Sequence, residues 1–250
     1  MKIIEYGKEN NEVIILLHGG GLSWWNYREV AELLEDKYHI ILPILDGHSG
    51  SDRVFTSIED NAKEIIDYID ERYHGTVKLI GGLSLGAQIL VEILSKRTDI
   101  CEYAFVESAL VVPMKLMNIL IKPSMDMSYG LIKEKWFAKL QFKESKIKSD
   151  LFDEYYKDTC NITKENYISF LKANSSYKLK ESIKNTNAKA YIFVGQKELP
   201  NMIESGKILN SLIPNSILNI NEKMYHGEFS INYASQYVDT LIKIINEEGE

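Results

Sequence analysis

The pentapeptide Gly82-Leu83-Ser84-Leu85-Gly86 is the segment of the chain best placed to do chemistry. It follows the apolar run Val77-Lys78-Leu79-Ile80 and leads into a stretch with Ile89, Leu90, Ile93 and Leu94 at helical spacing. A serine between strand and helix projects its hydroxyl at the carboxyl edge of a sheet, and glycines two residues to either side let the two elements approach closely. The start of the helix aims unpaired backbone N–H groups at any oxyanion that develops there. A hydroxyl is a weak nucleophile at neutral pH, so it needs a base within hydrogen-bond reach and a third group to orient that base. Five histidines are available: His18, His39, His48, His74 and His226.

The elements that must position these groups read as an alternation of short apolar runs and longer amphipathic stretches, the pattern of a parallel sheet covered by helices. Val13–Leu17, His39–Pro43, Val77–Ile80, Tyr103–Val106, Ala190–Val194 and Ser216–Ile220 read as strands. Helices are expected at Tyr27–Lys37, after Ser57, after Leu85, around Ile203–Ile213 and in the segment that carries Tyr233–Ile245. Ser57 reads as the N-cap of the second of these, with Asp60 three residues on, and His74-Gly75 as its end. From about Leu110 to Lys184 the strands stop, and amphipathic stretches carry large side chains such as Met114, Met117, Trp136, Phe137, Tyr155, Tyr167 and Phe170. The expected fold is therefore α/β, with a mostly parallel central sheet flanked by helices. Residues 1–109 and 188–250 form its core, and residues 110–187 form an inserted helical cap.

With these motifs in place, the chain resembles the α/β-hydrolase superfamily over nearly its whole length, and within it the serine esterases that carry a helical cap. His18-Gly19-Gly20-Gly21 after the first predicted strand is similar to that family's oxyanion loop. Asp46-Gly47-His48-Ser49-Gly50-Ser51 resembles a variant of its Gly-His-Gly-x-Ser loop, with serine at the second glycine. The resemblance implies Ser84 as nucleophile and His226, just past the last predicted strand, as its base. It implies an acid in the loop Gly195-Gln196-Lys197-Glu198-Leu199-Pro200, where Glu198 is the only carboxylate. Glu107, at the end of an earlier strand, is the rival acid. The oxyanion would be held by the Leu85 N–H and by one from Gly20 or Gly21. Trp24 and Trp25, beyond the glycine loop, are candidates for the substrate wall. So are Met114, Met117, Trp136 and Phe137, although a stripe at helical spacing is also what packing on a core requires.

Composition bounds the rest. The chain has 250 residues and a formal net charge of −7, so it repels phosphate backbones and nucleic acid is not an expected partner. Lysines along Lys133–Lys148 are interleaved with Glu134 and Glu144, as on a solvated helical face. Cys101 and Cys160 lack metal-ligand spacing, and no disulfide framework is expected. No run reaches the roughly 18 apolar residues of a membrane span. The residues after Met1 lack a secretory apolar core, which makes the cytoplasm the expected address. No metal or organic cofactor is implied, because the glycine motifs fit neither a P-loop nor a dinucleotide turn. The expected activity is serine hydrolysis of a carboxylic ester or thioester with a small to medium apolar part. The alternatives are an acyltransferase, a C–C bond hydrolase, or a non-catalytic ligand-binding protein of the same fold.

Overall fold

The structure is a computed structural model that describes residues 1–247. Seven strands form one sheet: β1 (Lys2–Tyr6), β2 (Val13–Leu17), β3 (His39–Ile44), β4 (Val77–Leu83), β5 (Cys101–Glu107), β6 (Lys189–Gly195) and β7 (Ser216–Asn221). Their spatial order is β1-β3-β2-β4-β5-β6-β7. All neighbours pair in parallel except β1 and β3, which are antiparallel. The sequence reading found the six parallel strands and missed β1. This edge strand, Lys-Ile-Ile-Glu-Tyr, is nowhere fully buried and its charged ends mask its apolar centre.

The period of two along the central strands divides the core. Ile15 and Leu17 face a cluster with α2 (Ile58–Tyr73), α3 (Leu85–Lys96) and α4 (Lys115–Ile132). Ile14 and Leu16 face the opposite cluster with Val30 and Leu34 of α1 (Arg28–Leu34). Leu33 of the same helix is 48% exposed. The Ser57 hydroxyl caps α2 by accepting from the Asp60 N–H at 3.0 Å, and His74 closes the helix in the left-handed conformation.

Between β5 and β6 the chain forms α4, α5 (Lys135–Glu144), α6 (Phe152–Asn161) and α7 (Lys164–Ser176), with no strand. Two groups of contacts fasten this helical segment to the sheet. On one side the Trp25 indole donates to Asp158 and Arg28 pairs with Glu154, both at 2.7 Å. On the other, Gln88 of α3 is fully buried. Its amide donates to the Leu110 and Asn174 carbonyls at 2.6 and 2.9 Å and accepts from the Asn174 side chain at 2.8 Å. A buried amide satisfied this fully fixes one geometry, because breaking any one bond leaves a desolvated polar atom. After β6 come α8 (Pro200–Leu212), α9 (Glu228–Asn232) and α10 (Ala234–Glu247). Pro200 occupies the first turn of α8, where its missing N–H costs nothing. No described helix is long and apolar enough to cross a membrane.

Candidate active site

Ser84 sits between β4 and α3 with φ 54° and ψ −111°, a backbone conformation that costs a non-glycine residue energy. Packing holds it there. The Ser84 N–H donates to the Glu107 carbonyl at 2.9 Å, and its own carbonyl accepts from the Gln88 N–H at 2.9 Å. The flanking glycines are required by contact with backbone. A Cβ on Gly86 would lie 2.1 Å from the Leu17 carbonyl oxygen, and one on Gly82 would lie 2.5 Å from that of Gly86. The strand therefore runs on through Gly81 and Gly82, three residues beyond the expected end at Ile80, because no side chain there resists the close approach.

Two loops bring an acid and a base to this turn. The Lys197 N–H donates to the Met224 carbonyl at 3.0 Å, and the Gln196 N–H to that of Asn221 at 2.9 Å. Gly195 lets the loops touch, since a Cβ there would meet the Met224 carbonyl oxygen at 2.5 Å. His226 Nδ1–H donates to Glu198 Oε2 at 2.6 Å. The other oxygen of Glu198 accepts from the Ser108 hydroxyl and from the Gly195 N–H, each at 2.7 Å. Gly227, with φ +73°, places its Cα beside the nucleophile turn: a Cβ on it would lie 3.2 Å from the Leu83 side chain. Ser84, Glu198 and His226 thus line one cavity of about 570 Å³. Neither Ser84 Oγ nor His226 Nε2 makes a hydrogen bond to a described residue, so both are free to meet a substrate.

The electrostatics of the pair are reciprocal. The His226 side chain is 46% exposed; partial desolvation by its neighbours opposes the charged imidazole, but the hydrogen bond and charge of Glu198, reinforced by Glu107, raise its pKa above the usual value. Burial likewise opposes the Glu198 carboxylate, and its bonds from His226, Ser108 and Gly195 outweigh that and hold its pKa down. Glu107 is different. It is fully enclosed, and burial pushes its pKa up to about 7. Its Oε1 accepts from the Ser230 N–H at 3.3 Å, while Oε2 has no partner. Glu198 holds the histidine, and Glu107 supports the floor behind it.

The oxyanion candidates divide as well. Leu85 opens α3, and its N–H has no acceptor in the helix. Gly20 lies against it, its Cβ position 3.6 Å from the Leu85 Cβ, and the Gly20 N–H makes no backbone bond. The Gly21 N–H is committed, donating to His48 Nε2 at 3.0 Å. His48 completes this brace by donating from Nδ1 to the Asp46 carbonyl at 3.0 Å. His18 does the same one layer away, donating to the Gly19 carbonyl at 2.9 Å and accepting from the Leu45 N–H at 3.1 Å. Because each Nε2 accepts, each ring is neutral with its proton on Nδ1. Burial drives the pKa of His48 down to about 4 and that of His18 well below the usual range.

Sequence reasoning missed this brace, and it also missed Ser108. Of the six residues expected along the substrate wall, Met114 and Met117 line the cavity. Trp25, in the turn Trp24–Tyr27 that precedes α1, is 3% exposed and part of the core, and Trp24 packs against that core under the Arg28 guanidinium. Trp136 is 62% exposed on α5, and Phe137 packs on the core. Aromatic walls come instead from Tyr155, Tyr167 and Phe170. Among the described residues no cluster of histidines, cysteines and carboxylates could hold a metal ion.

A strand–serine–helix turn and a bonded acid–base pair thus line one cavity on a mostly parallel sheet. The model of the alpha/beta hydrolase family matches residues 14–171, and the chain belongs to that family. No curated protein matches the sequence. Solved structures share the fold at low identity. An esterase from Exiguobacterium antarcticum is 17% identical with TM-score 0.81, covering 98% of this chain and 94% of its own. The enol-lactonase from Burkholderia xenovorans LB400 is 15% identical with TM-score 0.81, at 98% and 96% coverage. MenH from S. aureus is 14% identical with TM-score 0.79, at 100% and 98% coverage.

Proposed function

We propose that the chain is a serine hydrolase that cleaves a carboxylic ester or thioester with an apolar part, through an acyl-enzyme on Ser84. The observation that carries this is the 2.6 Å bond between His226 Nδ1 and Glu198, which leaves Nε2 as the base toward the cavity that Ser84 lines. Ser84 Oγ attacks the carbonyl carbon while its proton passes to His226 Nε2, and Glu198 stabilises the imidazolium. The tetrahedral oxyanion sits against the Gly20 and Leu85 N–H groups. Collapse breaks the ester bond, and the alcohol or thiol leaves with the proton from His226. Water then attacks the acyl carbon, His226 takes its proton, and the proton returns to Ser84 as the acid product departs.

Glu198 is favoured over Glu107 as the acid because only Glu198 is bonded to the histidine. The helices of residues 110–187 act as the cap over the reacting groups, with Met114, Met117, Tyr155 and Tyr167 as its apolar wall. The free amides and the strained serine favour turnover over mere ligand retention, since a receptor has no use for either. Acyl transfer and C–C hydrolysis share these groups and differ only in what attacks or leaves. Hydrolysis of p-nitrophenyl butanoate tests the proposal. Wild-type protein is expected to turn over, and Ser84→Ala to lose all activity above background. Equal rates from the two would refute the assignment.

A further inference from the structure

A second hollow of about 570 Å³ runs along α4, lined mainly by Leu116, Leu120, Ile121 and Met125. It adjoins the catalytic cavity: Met114, Met117 and Leu171 belong to the walls of both. Met117, Leu120, Ile121 and Ser124 fall at helical spacing, so the hollow follows one face of the helix. Its floor, Ile121 and Met125, is buried, whereas its rim is open to water, with Leu116 72% and Leu120 51% exposed. Lys115 is the only charged side chain along it.

Seven of its ten lining residues are apolar, and Lys115, Ser124 and Asn201 are the polar exceptions, so the surface suits an apolar ligand better than a polar one. Methionines give it walls that adapt to a flexible chain. We propose that this groove takes the far end of the substrate's saturated hydrocarbon chain while the ester carbonyl lies at Ser84. The inference rests on the serine-hydrolase reading and narrows its substrate class. From Met114 to Met125 the helix rises about 16 Å, which suits a chain of roughly a dozen carbons in all. The three side chains shared with the wall of the catalytic cavity favour this occupant over a second copy of the protein, which would have no reason to meet the groove at that end.

The test is the chain-length profile of kcat/KM for p-nitrophenyl esters from butanoate to tetradecanoate, below their aggregation limits. In wild-type protein each methylene that enters the groove is expected to raise kcat/KM up to about fourfold. Leu120→Glu is expected to lower the dodecanoate-to-butanoate ratio at least tenfold. Ile119→Glu, on the same helix, 69% exposed and outside the groove, is expected to preserve that ratio. Calorimetric titration of Ser84→Ala protein with dodecanoate reads the groove without turnover, and Leu120→Glu in that background is expected to weaken binding about tenfold. Dodecanoate binding that depends on Leu120, in a protein without esterase activity, would support the groove and refute the hydrolase. Turnover with a ratio indifferent to Leu120→Glu would overturn the groove alone. A Leu120→Glu protein changed in oligomeric state but not in chain-length ratio would assign the face to a second copy and likewise overturn it.

Discussion

Around the nucleophile turn backbone meets backbone, whereas the segment that opens α4 brings methionines to the same cavity. Gly86 lies against Leu17 with no room for a methyl group, Gly195 lies against Met224, and every oxygen of Glu198 is bonded. At the start of α4, Met114 and Met117 line the cavity, and Leu116 and Leu120, both open to water, line the adjoining hollow. The region around the turn has one arrangement because its contacts are directional and short, and interiors of that density do not deform gradually. The α4 wall is defined only by shape and apolarity, which several ligands satisfy. The proposed hydrolysis thus draws on one part of the cavity, and the proposed chain preference on another.

That division makes the region around the turn the place for the largest effects. Glu198→Gln keeps the shape but removes the charge that stabilises the imidazolium, and kcat is expected to fall on the order of 10³–10⁴. An effect below about tenfold would mean that another group orients His226. The pH profile sharpens the same point. Only neutral His226 can accept the serine proton, and its pKa is raised, so kcat/KM is expected to rise with pH through a midpoint above the usual histidine value of about 6.5. Glu198→Gln should move that midpoint to lower pH, and an unmoved midpoint would detach the pair from the titration. The sign for stability is opposite. A base whose pKa is higher folded than unfolded favours the folded state at pH below about 6.5, and loses that contribution as pH rises through its folded pKa.

How far these features could be read in the sequence depended on range. Ser84 and the six parallel strands were legible because the signal is local: an apolar run, a turn and a helical period. Glu198 and His226 were reachable through the family resemblance, as the one carboxylate and the one histidine of short loops after strands. The Gly21–His48 bond was not, since it joins residues 27 apart whose own neighbourhoods look like ordinary turns. Helical spacing could not tell which face of the 110–187 helices met the cavity. Trp136 therefore read as wall and stands in solvent, while Tyr167 and Phe170 read only as bulk and line the site. Strand β1 was hidden because an edge strand with Lys2 and Glu5 has no apolar period to show.

The smallest effect expected around the turn comes from the second acid. Glu107→Gln preserves the Ser230 contact and removes a carboxyl that burial leaves only partly ionised near neutral pH, its pKa pushed up to about 7. Its kcat is expected to stay within about tenfold of wild type, with a slightly lower midpoint because one source of the raised His226 pKa is gone. A loss as large as that of Glu198→Gln would exchange the roles of the two acids.

The most direct measurement is the rate at which a fluorophosphonate labels the protein, followed by intact mass and peptide mapping. A single adduct on Ser84 is expected, formed orders of magnitude more slowly in His226→Ala and Glu198→Gln. Labelling of another residue, or of Ser84 at an unchanged rate without the histidine, would contradict the activation of this serine by the His226–Glu198 pair.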